Sequence, residues 1–222
     1  MKFDRPLVLA STSPRRQFLL REAGFHFKIQ KPEGDESFPA SMSPESVPKF
    51  LAEKKAEIFK NSLQSEIVIA SDTVVILENR IMNKPCDRNE AVQMLSDLSG
   101  RTHLVITAVC LLAKEKQDLF DVMTEVTFRI LTHDEIATYV DNYKPFDKAG
   151  AYGAQECLPV GMNPCSDEEL EFLTEINKID LIEKSINAKT GMAGIERING
   201  SYFNVMGFPI HKVYERLMKF QY

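Results

Sequence analysis

Apolar positions along the chain alternate between short dense runs and helical spacings. Leu7-Val8-Leu9-Ala10 is short, apolar and bounded, which predicts a buried strand. Ser13 follows as an N-cap and Pro14 as the first helical residue, where a missing N–H costs nothing. Phe18, Leu19, Leu20 and Ala23 give that helix an apolar face, and Gly24 ends it. Residues 26–30 alternate weakly and predict a second strand. A polar loop over 31–43 carries Glu33, Asp35 and Glu36. From Ser43-Pro44 a helix is expected to about Lys60, with Val47, Phe50, Leu51, Ala52, Ile58 and Phe59 as its apolar positions. Residues 66–77 make the most apolar run in the chain. They are rich in β-branched side chains and predict a central strand, or two abutting ones.

Asn83-Lys84-Pro85 breaks that run, and a helix is expected over about 88–98 with Gly100 beyond its end. Residues 103–113 and 119–131 read as two strands of a hairpin around the polar 114–118. Thr132 caps a helix over 133–142, with Glu135 completing a capping box. A short strand and an Asn199-Gly200 turn fall within 194–205, and Pro209 opens a terminal helix through Leu217. The long hairpin excludes a purely parallel sheet. The expected architecture is α/β: a mixed sheet with flanking helices, in two lobes.

Composition narrows the classes. A chain of 222 residues suits one generous domain. No apolar run approaches the ~18–20 residues of a membrane helix. Met1 to Pro6 lacks the apolar core of a signal peptide, so a cytoplasmic location is expected. Cys86, Cys110, Cys157 and Cys165 are too dispersed for a zinc site and read as reduced thiols. His26, His103, His133 and His211 are equally scattered. A net charge of −5 argues against a nucleic-acid surface but leaves room for a small phosphate ligand on a local basic cluster.

Candidate chemistry gathers first at Ser11-Thr12-Ser13-Pro14-Arg15-Arg16. A strand, a hydroxyl-rich turn and a helix N-terminus present free backbone N–H groups to an anion. Arg15 and Arg16 oppose the helix dipole there, which a bound polyphosphate would justify. The plain alternative is an ordinary βα turn with two solvated arginines. Asp72 lies inside the Val/Ile run, where a carboxylate is costly unless paired or bound to a metal. Lys54 and Lys55 read most simply as solvated helix lysines. Asp147 to Gln155 is rich in small residues that let backbone approach a ligand, or that make a turn.

These pieces resemble the Maf family of nucleotide pyrophosphatases. The resemblance rests on Ser11 to Arg16, Glu36, Ala52-Glu53-Lys54-Lys55, Ser71-Asp72-Thr73-Val74-Val75, Asn83-Lys84-Pro85, Asp147 to Gln155, Asn199-Gly200-Ser201-Tyr202 and Val205-Met206-Gly207-Phe208-Pro209. Separated motifs in one order are far more specific than any single one. The resemblance implies an ITPase-like fold with the two lobes around a central cleft, and hydrolysis of a nucleoside triphosphate to a monophosphate and pyrophosphate. It also implies a divalent cation, magnesium or manganese, and it suggests a homodimer. On that reading Arg15, Arg16, Lys55 and Lys84 clamp the phosphates, and Ser11 and Ser13 bind phosphate oxygens. Asp72 is the favoured base, and Glu36 places the metal or the water; both carboxylates suit a hard cation. Gln155 reads a base edge. Thr73 and the Tyr152-Gly153-Ala154-Gln155 segment look like the branch acting on dTTP and UTP rather than the branch acting on 7-methyl-GTP. Glu156 departs from the glycine common in the family. From another class, a non-catalytic nucleotide-binding regulator linked to septum formation is the alternative.

The resemblance does not cover about 157–193. Ser166-Asp167-Glu168-Glu169 forms a capping-box pattern, and Leu170, Leu173, Ile176, Ile179, Ile182 and Ile186 recur at helical spacing. Residues 166–186 carry the chain's whole net charge of −5. The expectation is a single domain with a mostly helical insertion here, at the cleft rim as a lid or partner surface, or else a tolerated surface insertion.

Overall fold

The computed structural model describes residues 5–186 and 191–220. Met1 to Asp4 of the N-terminal stretch, residues 187–190 of the 157–193 segment and the last two residues lie outside it. A seven-stranded sheet runs β2-β1-β3-β5-β6-β7, with β4 paired on β3. Its strands are β1 (Leu7–Leu9), β2 (Phe27–Ile29), β3 (Ile67–Leu77), β4 (Arg80–Met82), β5 (Thr102–Leu112), β6 (Gln117–Phe128) and β7 (Ile195–Asn199). β1 lies parallel to β2 and β3; every other pairing is antiparallel. The mixed α/β architecture expected from the sequence is present.

β3 is one unbroken strand of eleven residues, and its side chains alternate between two packed faces. Val68, Ala70, Val74 and Ile76 meet the helix α2 (Val47–Glu57) through Val47, Leu51, Ala52 and Ala56. Ile67, Ile69, Val75 and Leu77 belong to the larger core on the other face. That core is covered by α1 (Pro14–Glu22), α3 (Arg88–Leu98), α4 (His133–Tyr143), α6 (Asp167–Glu175) and α9 (Ile210–Phe220). In α9, Ile210, Val213, Leu217 and Phe220 are buried on one stripe. Each large apolar side chain so buried contributes about 1.5–3 kcal/mol. Between α4 and α6 lies the short α5 (Ala154–Cys157), and α7 (Leu181–Ser185) and α8 (Tyr202–Val205) complete the helices.

Several details differ from expectation. β4 follows β3 through a tight turn at Glu78 and Asn79, both at positive φ, so the break at Asn83 comes after a second, three-residue strand. β6 ends at Phe128, because Arg129 turns away to bond the 192–194 backbone. Residues 166–186 form two helices, α6 and α7, separated by a turn with Asn177 in the left-handed region. The Ser166–Glu169 capping box does form. Phe172, Leu173 and Leu181 enter the main core, and Lys178 and Lys184 reach Glu22 of α1 at 3.7 and 3.4 Å. The apolar stripe of this segment is therefore spent on the body of the protein.

Candidate active site

Strand pairing leaves one stretch of β3 with an incomplete edge. β1 pairs with Ile67–Ile69 and β4 with Val75–Leu77, so residues 70–74 between them have a strand partner only on the β5 side. Backbone groups in such a gap must find other partners. Arg16 supplies one: its Nη1 donates to the Ser71 carbonyl at 2.7 Å. Ser71, Asp72 and Thr73 thus stand where the sheet opens.

Alternation sends Asp72 to the α2 face, where Lys55 meets it. Lys55 Nζ donates to Asp72 Oδ1 at 2.6 Å and lies 2.9 Å from Glu36 Oε1. The lysine and Asp72 side chains are 14% and 12% exposed, so neither is a solvated surface charge. The plain reading of Lys55 as solvated is corrected by this pair. Glu36 comes in from the 31–43 loop and stays open to solvent. The hydrogen bond from Lys55 holds its carboxyl below the usual range, and the charges of Lys55, Lys84 and Arg16 act the same way against partial burial. Lys84 is exposed and, among the described residues, has no hydrogen bond or ion pair.

The turn after β1 forms the facing wall. Ser13 occupies the N-cap of α1, but its side chain makes no capping bond. Its N–H instead donates to Ser11 Oγ at 3.1 Å, which curls the turn around the cleft. Arg15 lies 3.5 Å from Asp147 Oδ2. Arg16 is held on three sides, with Nε on the Gly207 carbonyl at 3.0 Å and Nη2 on Thr73 Oγ1 at 3.1 Å besides Ser71. Burial pulls its guanidinium down to about 10, with Asp72 opposing, so it is charged at neutral pH. Gly207 sits at a φ of +96°, and a Cβ there would come 3.3 Å from Thr73 Oγ1. A glycine lets this carbonyl reach the arginine without strain.

Residues 147–157 close the third side. Gln155, on α5, is 9% exposed, and its buried Oε1 has no hydrogen-bond partner among the described residues. Tyr152 lines the cleft while its hydroxyl is tied to His103 Nε2 at 2.8 Å. Lys148 is buried beside the cleft, 2.9 Å from Asp147 Oδ1 and 3.7 Å from Glu156 Oε1. Glu156 does not line the cleft. It stands behind the loop and accepts from the Tyr139 hydroxyl at 2.6 Å. Together these walls enclose a cavity of about 360 Å³. All of the sequence-nominated residues border it: Ser11, Ser13, Arg15, Arg16, Glu36, Lys55, Asp72, Thr73, Lys84 and Gln155. No described residue between 158 and 193 lines this cavity.

Cations, hydroxyls and a helix N-terminus gathered around one buried carboxylate can hold an anion such as a phosphate chain. The match to the Maf-like protein family covers residues 6–164. The chain belongs to the Maf family. A Maf relative from Bacteroides fragilis, named dTTP/UTP pyrophosphatase, is 40% identical over 95% of this chain and 94% of its own. Another of that name, from Christiangramia forsetii, is 39% identical over 96% and 93%. A solved dITP/XTP pyrophosphatase from Mycobacterium abscessus aligns with 55% of this chain and 74% of its own, at 15% identity. Its TM-score of 0.35 is too low to bear on fold or chemistry.

One charged pair of this Maf chain was not singled out from the sequence. Asp147 and Lys148 sat inside a stretch noted only for its small residues, yet they carry charge into the cleft. The adjacency of an acid and a base in a glycine-rich loop was the available signal. Among the described residues, no three of His, Cys, Asp or Glu stand together as metal ligands. Glu36 and Asp72 do converge, with Lys55 bridging one oxygen of each. Two carboxylates beside a phosphate site are the usual protein share of a magnesium site, so this donor set fits a hard divalent cation.

Proposed function

We infer that this Maf protein hydrolyses pyrimidine nucleoside triphosphates, dTTP and UTP, to the monophosphate and pyrophosphate. One observation carries the reading: a single buried carboxylate, Asp72, faces a cleft whose lining includes Arg15, Arg16, Lys55, Lys84 and the N-terminus of α1, with the exposed Glu36 and Asp147 carboxylates at its edge. Attack on phosphorus asks mainly for placement and charge neutralisation, which such a lining supplies. The bond formed joins water oxygen to the α-phosphorus. The bond broken is the α–β bridge, and pyrophosphate leaves.

Asp72 takes the proton of the attacking water. Among the described residues only its Oδ1 is engaged, by Lys55, which leaves Oδ2 for the water. Lys55 orients the carboxylate. Arg15, Arg16 and Lys84 hold the phosphate chain, with Ser11, Ser13 and the turn's N–H groups on its oxygens. Glu36 and Asp72 would hold a magnesium or manganese ion, which when bound neutralises phosphate charge. Gln155 supports the choice of base: an unpaired buried acceptor suits the N3–H of uracil or thymine, a donor that cytosine lacks. The relatives' printed name supports the same substrates.

The test is a panel of UTP, dTTP, CTP, ATP, GTP and 7-methyl-GTP, with magnesium, manganese or EDTA and pyrophosphate detection. The expected result is metal-dependent release from UTP and dTTP well ahead of the rest. Binding without release from any triphosphate would leave a nucleotide-sensing regulator instead. A preference for 7-methyl-GTP would assign the other branch.

A further inference from the structure

Glu169 lies on α6, outside the cleft and beyond the residues matched to the family, and is fully buried at 0% exposure. A buried carboxylate is costly unless its oxygens are well supplied with donors. Here Oε2 accepts from Ser166 N at 3.0 Å, Ser166 Oγ at 3.1 Å and Tyr202 N at 3.0 Å. Oε1 accepts from Ser201 Oγ at 2.6 Å and Phe203 N at 2.9 Å. The carboxylate is thus shared between the start of α6 and the start of α8. The first bonds cap its own helix. The others grip a turn that leads to Val205, Met206 and Gly207 in the cleft wall.

From that turn a continuous run of hydrogen bonds reaches the phosphate site. Ser201 Oγ, while donating to Glu169, accepts from Asn204 N at 2.9 Å. Asn204 is fully buried, and its side chain bonds Val105 O at 2.9 Å and Thr107 N at 3.1 Å. Its carbonyl accepts from Thr107 Oγ1 at 3.0 Å and from Gly207 N at 2.8 Å. Thr107 Oγ1 is 2.9 Å from Thr73 Oγ1, which accepts from Arg16. The Gly207 carbonyl accepts from Arg16 as well.

We propose that Glu169 is a positioning residue: it fixes the 201–207 turn and, through Asn204, Thr107 and Thr73, the Arg16 guanidinium in the cleft. The inference rests on the reading of that cleft as a triphosphate site. Arg16 would grip phosphate in ground and transition states alike. Its displacement therefore raises KM more than it lowers kcat. Glu169→Gln puts an amide N–H₂ against the N–H and O–H donors on one side. A purely structural Glu169 would lower thermal stability and leave KM alone.

The experiment compares Glu169→Gln, Ser201→Ala and Ser166→Ala for UTP hydrolysis in magnesium, with Tm on the same samples. Glu169→Gln is expected to raise KM about tenfold with kcat within about threefold. Ser201→Ala should move KM the same way by less. Ser166→Ala cuts only the α6 side of the network, so it should lower Tm without moving KM. Adding Thr107→Val to Glu169→Gln should raise KM by less than the product of the single effects, since both act along one path. An unchanged KM in folded Glu169→Gln overturns the proposal. If that variant does not fold, an unchanged KM in Ser201→Ala does so. Calorimetric affinity for inorganic tripolyphosphate is read on the same variants and needs no turnover. A wild type without pyrophosphate release would therefore count against the hydrolase reading, while the Glu169 comparison is still decided by tripolyphosphate.

Discussion

Replacing Asp72 by Asn separates chemistry from structure at the centre of the cleft. The amide keeps the volume and one acceptor for Lys55 Nζ, now 2.6 Å from Oδ1, but it cannot take a proton at neutral pH. Removing a general base lowers kcat by ~10²–10⁴, or about 2.7–5.4 kcal/mol of barrier. The structural cost is smaller. The Lys55–Asp72 pair is largely buried, and deleting one partner of such a pair outright costs about 3–5 kcal/mol. Here Lys55 keeps Glu36 at 2.9 Å, and an ion pair becomes a hydrogen bond from the ammonium to a neutral amide oxygen, so the loss is about 1 kcal/mol. For a chain of this size that lowers Tm by about 2–4 °C. Nucleotide affinity should hold or rise, because one negative charge near the phosphates is gone. The assay is pyrophosphate release from UTP, with calorimetric affinity for a non-hydrolysable α,β-methylene analogue and a melting curve on the same sample. A folded Asp72→Asn protein with kcat within tenfold of wild type would falsify the assignment of Asp72 as proton acceptor.

Three further outcomes follow from the geometry. Arg16→Lys cannot reach Ser71 O, Thr73 Oγ1 and the Gly207 carbonyl together, so KM for UTP should rise about tenfold or more at constant fold; an unchanged KM would show that charge alone suffices. Gln155→Ala removes the unpaired buried acceptor, and the UTP-to-CTP ratio of kcat/KM should fall further than kcat on UTP does; a preserved ratio would place base selection elsewhere. Leu181→Ala, at a fully buried position of α7, should cost about 2–5 kcal/mol in urea unfolding with KM unmoved, whereas a raised KM at small stability cost would point to a role for the 157–193 segment at the cleft.

Local pattern made most of the framework legible before any coordinates. Capping boxes at Thr132 and Ser166, the Pro14 start of α1 and the β-branched run of β3 are statements about neighbouring residues, and the fold keeps them. The residues nominated for the cleft also lie together in it. What the pattern could not convey was which way a helical stripe faces. The isoleucines and leucines of 166–186 have the same spacing whether they cover a ligand or the core, and only packing shows that Phe172, Leu173 and Leu181 are taken up by the core. Nor could Glu169 be distinguished from a routine capping glutamate, because its second set of donors comes from residues more than thirty positions away.

The division of labour between Asp72 and Thr73 follows from the two-residue period of a strand. Adjacent residues on β3 point to opposite faces, so Asp72 meets α2 and Lys55 while Thr73 meets β5's Thr107 and the 201–207 turn. The first set of contacts joins residues within 36–72, whereas the second brings in Thr107 and the 201–207 turn. Arg16 enters from α1 and touches both neighbours of Asp72, the Ser71 carbonyl on one side and Thr73 on the other. The gap between β1 and β4 is what makes this reach open, since a full-length strand on that edge would take the Ser71 carbonyl for itself. Short edge strands on either side of a long central one are therefore a condition of the site: past Leu9 and past Met82 the chain leaves the ladder and lines the cleft with Ala10–Ser13 and Lys84, and continuing either strand across residues 70–74 would take both the Ser71 carbonyl and those lining residues.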